Sequence, residues 1–238
     1  MHRLAIATVL LMGWDSAGLA VPEPESLHGQ LEVVDRVPLV PTTIPAAEQL
    51  EQLLQHRRQQ PDRIHEIDAE IRDRFLQTRA ILVLDMAGFS RNTQMQGIIP
   101  TLQAIYHLRE IAVPLVEAHD GIVFKVEADN LYAAFDHPDL ALQAAEQLLI
   151  QLNAINLHAS IGIGYGEVLV IGDRDLYGNE MNLASKLGED IADDDEILLT
   201  EAAHNSLIES TPLFDAFTQE ISGVTLNIYK LQQNSSHL

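Results

Sequence analysis

"IVFKVEADNLYAAF", residues 122–135, decides how the chain folds. Two apolar runs rich in β-branched and aromatic residues flank Ala128–Asn130, which reads as two strands joined by a tight turn. Lys125, Glu127 and Asp129 stand two apart, and in an extended segment that spacing puts all three on one face. A strand face carrying one cation and two carboxylates is not core, and it raises the question of what it meets.

The flanking segments supply the rest of the pattern. Upstream, "AILVLDM" (80–86) is a buried strand, and "GIIPTLQAIYHLREIAVPLVEAHDG" (97–121) is a long helix that Pro114 is expected to kink. Downstream come a helix over 138–153 and then "HASIGIGYGEVLVIG" (158–172), read as a hairpin turning at its glycines. A helix starting near Asn179 follows, then the strand "EILLT", the helix "EAAHNSLIE" and a closing pair around Phe217 and "VTLNIYKL". Strand, helix, two strands, helix, strand is a ferredoxin-like βαββαβ plan. The fold class is α+β: an antiparallel sheet with helices on one face and additional C-terminal strands.

Composition narrows the function. The chain has 238 residues, 35 acidic against 14 basic, for a net charge of −21. That balance argues against a nucleic-acid or anionic-membrane partner, either of which needs a basic stripe, and it suits a protein that holds cations. There is no cysteine, so disulfides, zinc–thiolate sites and thiol nucleophiles are excluded.

The N-terminal part is organised differently. "MHRLAIATVLLMGWDSAGLA" resembles a secretory signal but is too short to span a bilayer securely, so no stable transmembrane span is expected. Residues 21–45 are Pro-rich and read as a linker, making 1–45 a leader and linker. Residues 46–79 form a helical extension. Leu50, Leu53 and Leu54 make one stripe, Pro61 breaks it, and Ile64, Ile67, Ile71 and Phe75 make a second. That face packs either on its own domain or in a short dimeric coiled coil. The principal domain spans 80–231 and a polar tail 232–238.

Asp85 ends a strand of aliphatic residues, just before the "MAGFS" turn, and Asp129 sits in the turn of the 122–135 hairpin. In a βαββαβ sheet those positions are adjacent. Two neighbouring carboxylates repel each other, and a divalent cation relieves the repulsion; Mg2+ suits a site with one or two carboxylates and room for phosphates and water. Two turn aspartates that only cap backbone amides are the plainer alternative.

"ILVLDMAGFS", "KVEADNLYAAF", "SIGIGYGEVLV" and "DLYGNEMNLASKL" together resemble the class III adenylate/guanylate cyclase catalytic (homology) domain family from about Ala80 to Leu231, most specifically in the "GNEMNLASK" helix. The resemblance implies that Asp85 and Asp129 are the metal aspartates, with help from the main chain around Met86. It implies two Mg2+ or Mn2+ ions per site, Lys125 and Asp175 as the purine-selecting pair, and Asn182 as the residue that orients the ribose. Lys with Asp at the base-selecting positions implies adenine, hence ATP converted to cyclic AMP and pyrophosphate. It also implies a homodimer with sites shared between protomers, and cytoplasmic nucleotide pools imply a cytoplasmic location, in spite of the signal-like leader.

The physical chemistry agrees. Lys125 can donate to adenine N1, and Asp175 can accept from the exocyclic amine.

Three residues depart from the family pattern. Lys186 stands where the family has an arginine, keeping the charge but losing the planar fork. Ser222, before Gly223, stands where a phosphate-binding lysine is usual. Each loss of a transition-state donor is expected to slow turnover on the order of a hundredfold. Ala128 replaces a glycine before the second aspartate, in a turn that favours positive φ. A catalytically weak or inactive nucleotide-binding module of the same fold is therefore the alternative reading.

Other patterns carry less. "GIGYG" lacks phosphate-loop spacing and opens no helix. "DDDE" (193–196) reads as a solvated loop without EF-hand spacing. The ten histidines form no HExxH pair, and there is no serine elbow.

Overall fold

The computed structural model describes residues 39–40, 42–172, 175–208, 213–221 and 223–232. The signal-like stretch 1–20 and Ser222 lie outside them. No described helix is long and apolar enough to cross a membrane.

The sheet has eight strands in the order β2-β3-β1-β4-β6-β8-β7, with β5 paired to β4. The strands are β1 Leu76–Met86, β2 Ile122–Glu127, β3 Asn130–Phe135, β4 Ala159–Ile171, β5 Asp175–Tyr177, β6 Ile197–Thr200, β7 Phe214–Ile221 and β8 Val224–Leu231. Strand β1 lies between β3 and β4 and is antiparallel to both, while β4 and β6 run parallel. The βαββαβ plan and the added C-terminal strands are therefore as expected.

Helices α3 (Phe89–Gln96), α4 (Ile98–Ala118) and α5 (Pro138–Asn153) make the crossovers. The main core lies between α4 and α5 and one sheet face, where Leu82, Leu84, Leu108, Leu131, Leu148 and Ile161 are fully or almost fully buried. Helix α5 begins with Pro138 in its first turn, where the missing N–H costs nothing. Pro114 lies inside α4 and removes one backbone hydrogen bond without ending the helix.

Three expectations need correction. The stretch 158–172 is not a hairpin but the single strand β4, because its glycines serve close packing rather than turning. A Cβ on Gly162 would fall 2.6 Å from the Gly188 nitrogen, one on Gly164 2.5 Å from the Glu180 carbonyl, and one on Gly166 2.9 Å from the Glu180 Cγ. The helix that needs this clearance is α6 (Asn179–Lys186), which packs with Ile81, Val83 and Val168 on the sheet face opposite α4 and α5. Helices thus cover both faces.

The sheet also starts earlier than Ala80, since Leu76, Gln77 and Thr78 pair with Leu169, Val168 and Glu167. The extension comprises α1 (Ala46–Gln59) and α2 (Ile64–Phe75), and its apolar stripe is buried within this chain: Leu53, Ile67, Ile71 and Phe75 close over Ile171. Most of the stripe thus packs on its own domain, and Leu54 stays half exposed.

Candidate active site

Alternation along β1 sets the site. Ile81 and Val83 face α6, while Leu82, Leu84 and Met86 face the main core, so Asp85 emerges on the α6 side at the strand's end. Across the ladder it is paired with Asn130 on β3 and Ser160 on β4. The β2–β3 turn brings Asp129 beside it, and the Met86 N–H donates to the Asp129 carbonyl at 3.1 Å. Asp129 therefore belongs to the turn and not to the strand face read from the sequence.

The turn is strained as its composition implies. Ala128 has φ of 48°, a conformation that favours glycine, and its carbonyl accepts a 2.6 Å hydrogen bond from Arg109 Nη2 on α4. That bond holds the turn where Asp129 needs to be.

Asp85, Met86 and Asp129 line one open hollow of about 360 Å³ with Gly88–Arg91 and Asp194. Met86 reaches it through its main chain, because its side chain is buried. Burial, then the charge of Asp129, then that of Glu189 push the Asp85 carboxyl up to about 7. Such a pair is poised for a cation.

The donor set fits a hard divalent ion. It consists of carboxylate oxygens and backbone, and the buried Oδ1 of Asn130, on the strand position opposite Asp85, has no hydrogen-bond partner. Among the described residues no group of three or more His, Asp or Glu side chains closes on one point. A sparse set of this kind suits Mg2+ or Mn2+, which keep water and phosphate in their shells. Helix α3, capped by Gly88 at φ 75°, presents its N-terminal N–H groups to the same hollow.

The base-selecting candidates lie elsewhere. Lys125 on β2 is ion-paired with Glu127 and sits 5.9 Å from the Tyr132 ring centroid. The hydrogen bond it donates to Glu127 raises its pKa most, and the charge of Asp175 adds to the shift. β2 and β5 are in contact, which puts Asp175 close enough for its charge to act on Lys125. Asn182 and Lys186 stand one helical turn apart on α6. Lys186 is exposed and paired with Asp190 at 3.4 Å.

None of Lys125, Asp175, Asn182 and Lys186 lines the hollow that holds Asp85 and Asp129.

Sequence reasoning missed several residues. The acidic loop is not simply solvated: Asp194 reaches the hollow, Asp195 bonds His158 at 2.7 Å, and Glu196 pairs with Lys230. Arg91 also lines the hollow. No local pattern marks Asp194, since only tertiary folding brings its loop to β1, and Arg91, in the first turn of α3, belongs to no motif.

No family model matches the chain. Solved structures do. The adenylyl cyclase CyaB from P. aeruginosa superposes with a TM-score of 0.59 at 17% identity, covering 68% of this chain and 97% of that one. The adenylate/guanylate cyclase/hydrolase from Silicibacter pomeroyi gives 0.58 at 21% identity over 67% and 98%. Adenylate cyclases from Trypanosoma brucei in their monomeric state give 0.60 at 17% over 68% and 90%.

The fold is that of a nucleotide cyclase catalytic domain.

The cyclase fold accounts for nearly the whole length of those domains, while α1 and α2 add to it at the N-terminal side. In sequence, the chain is 27% identical over 133 residues to the "Putative adenylate cyclase 3" of Rhizobium meliloti, which is 52% of this chain and 22% of that protein. The match therefore spans under a quarter of that relative's length.

Proposed function

We propose that this chain is an adenylate cyclase, converting ATP to 3′,5′-cyclic AMP and pyrophosphate as a homodimer in the cytoplasm. The observation that carries the reading is the convergence of Asp85 and Asp129 at the mouth of α3, on a cyclase fold. A carboxylate pair facing a helix N-terminus matches both components of a cation-bound polyphosphate.

In the reaction the ribose 3′-hydroxyl attacks the α-phosphorus, loses its proton, and displaces pyrophosphate as the α–β bridging bond breaks. Divalent cations, two per site and Mg2+ or Mn2+ in keeping with the oxygen donors, would acidify that hydroxyl and neutralise the phosphates. Asp85, Asp129 and the main chain at Met86 hold the phosphate end. Lys125 donates to adenine N1 and Asp175 accepts from the exocyclic amine. Asn182 orients the ribose, and Lys186 places positive charge beside the phosphates as negative charge develops. A second copy completes each site, with one protomer supplying Asp85 and Asp129 and the other Lys125, Asp175, Asn182 and Lys186.

One observation favours a non-catalytic nucleotide-binding module instead: Asp190 partly neutralises the cation at 186, which is a lysine. Comparing ATP with 3′-deoxy-ATP decides between the two. A cyclase releases pyrophosphate from ATP and none from the 3′-deoxy analogue, whereas a binding module takes up both and releases pyrophosphate from neither.

A further inference from the structure

The helix carrying Asn182 and Lys186 does not end as an ordinary α-helix. Residues Leu187–Ile191 form a π turn, closed by the Ala192 N–H donating to the Leu187 carbonyl at 2.8 Å. Its wider backbone is pressed into the sheet at Gly188, where a Cβ would fall 2.8 Å from the Val83 carbonyl and 3.0 Å from the Gly162 nitrogen. The Ser160 hydroxyl, donating to the Gly188 carbonyl at 2.7 Å, fastens it there. Turns of this kind re-aim the residue beside them. Here that residue is Glu189.

Glu189 accepts a hydrogen bond from the Tyr132 hydroxyl at 3.1 Å, across 57 residues of sequence. Tyr132 accepts in turn from Asn130 Nδ2 at 3.3 Å, and it pairs across the ladder with Lys125, whose ammonium lies 5.9 Å from its ring. The β2–β3 register shifts between Val123 and Lys125, so Lys125 owes its place to this local irregularity and its support to Tyr132. Among the described residues, Tyr132 to Glu189 is the only side-chain hydrogen bond joining the β2–β3 hairpin to α6 and its π turn.

We infer that Tyr132 and Glu189 form a positioning latch that sets the distance between the hairpin bearing Lys125 and the helix bearing Asn182, and thereby the choice of purine. The inference rests on the nucleotide reading above. Base and ribose contacts are made from two separate elements, so discrimination between adenine and guanine depends on how firmly those elements are registered. A loosened hairpin leaves Lys125 free to meet either an acceptor at N1 of adenine or the altered edge of guanine.

Tyr132→Phe removes the hydroxyl and keeps the ring. Glu189→Gln keeps an acceptor and removes the charge, and Glu189→Ala removes both. Binding of 3′-deoxy-ATP and 3′-deoxy-GTP to the full chain with Mn2+ reads the preference without turnover, and thermal melting of each variant reads folding. The preference ratio should fall about fivefold to tenfold in Tyr132→Phe and in Glu189→Ala, the net worth of one ordinary hydrogen bond. It should be retained in Glu189→Gln, and the two losses should not add in the double variant. A wild type that selects one purine, with a Tyr132→Phe variant or, where that variant does not fold, a Glu189→Ala variant of unchanged ratio, overturns the latch alone. Loss of preference in Glu189→Gln equal to that in Glu189→Ala also overturns it, assigning the effect to charge. A wild type that binds neither nucleotide overturns the nucleotide reading and the latch with it.

Discussion

The Met86 N–H donates to the carbonyl of Asp129 at 3.1 Å, so the end of β1 and the turn of the β2–β3 hairpin are one mechanical unit. Asp85 precedes the donor and Asp129 carries the acceptor, which keeps two carboxylates together that would otherwise separate. Electrostatic repulsion is thus built into the apoprotein and offset by backbone geometry.

That repulsion has a pH signature in the metal-free protein. The Asp85 carboxyl is pushed from 3.8 to about 7. Between those values this group binds more protons in the folded state than in the unfolded chain, so the stability that Asp85 contributes is fully present below about pH 4 and is lost as pH rises to about 7. Asp85→Asn removes the decline. In chelator, the variant should be more stable than wild type by about 1–2 kcal/mol above pH 7, after discounting for solvent screening of a half-buried group, and equal to it near pH 3.5. Thermal melts across that range check it, and an equal stability at high pH counts against the strained pair.

Gly162 tests the packing of α6. Gly162→Ala drives a methyl group into the Ala184 carbonyl and the Gly188 nitrogen, at positions already in contact. Overpacking of this kind costs about 1–3 kcal/mol. Melting should drop accordingly, and any cyclase activity should fall with it, because the displaced helix carries Asn182 and Lys186.

On the proposed function, Lys125 and Asp175 select the base. Lys125→Glu combined with Asp175→Cys inverts the donor and acceptor pattern offered to the purine, so preference should move from ATP towards GTP. Competition between the two nucleotides measures it. Undiminished ATP preference in a folded double variant would remove these residues from the base site.

Much of this site was legible in the residues themselves. Asp85 stood out as a charge ending an aliphatic strand, and Asp129 as an acid in a tight turn, because both signals are local. The glycines of β4 were misread for the opposite reason. In isolation a glycine-rich run signals a turn, and only the approach of α6 from further along the chain shows that Gly162, Gly164 and Gly166 clear space for a helix. Glu189 and Tyr132 left no trace, since neither belongs to a motif and their bond depends on a π turn. The start of β1 at Leu76 was hidden because Leu76–Arg79 continue the polar character of the preceding helix and gain strand structure by pairing with β4.

On the proposed function, Lys186 bears on rate rather than binding. Lys186→Arg restores a planar fork beside developing charge and should raise kcat about tenfold or more while leaving KM nearly unchanged. Asp190→Asn, which frees the lysine from its 3.4 Å partner, should move kcat in the same direction by less. Steady-state kinetics separates the two constants. A fall in KM alone would place residue 186 in ground-state binding.

The fate of the α-phosphorus tests the account most directly. ATP labelled at the α-phosphate, incubated with the full chain and Mn2+, should yield its label in 3′,5′-cyclic AMP, matched by unlabelled pyrophosphate, and Asp129→Asn should yield neither. Label recovered only in ATP, ADP or AMP, from protein shown to bind the nucleotide, would contradict it.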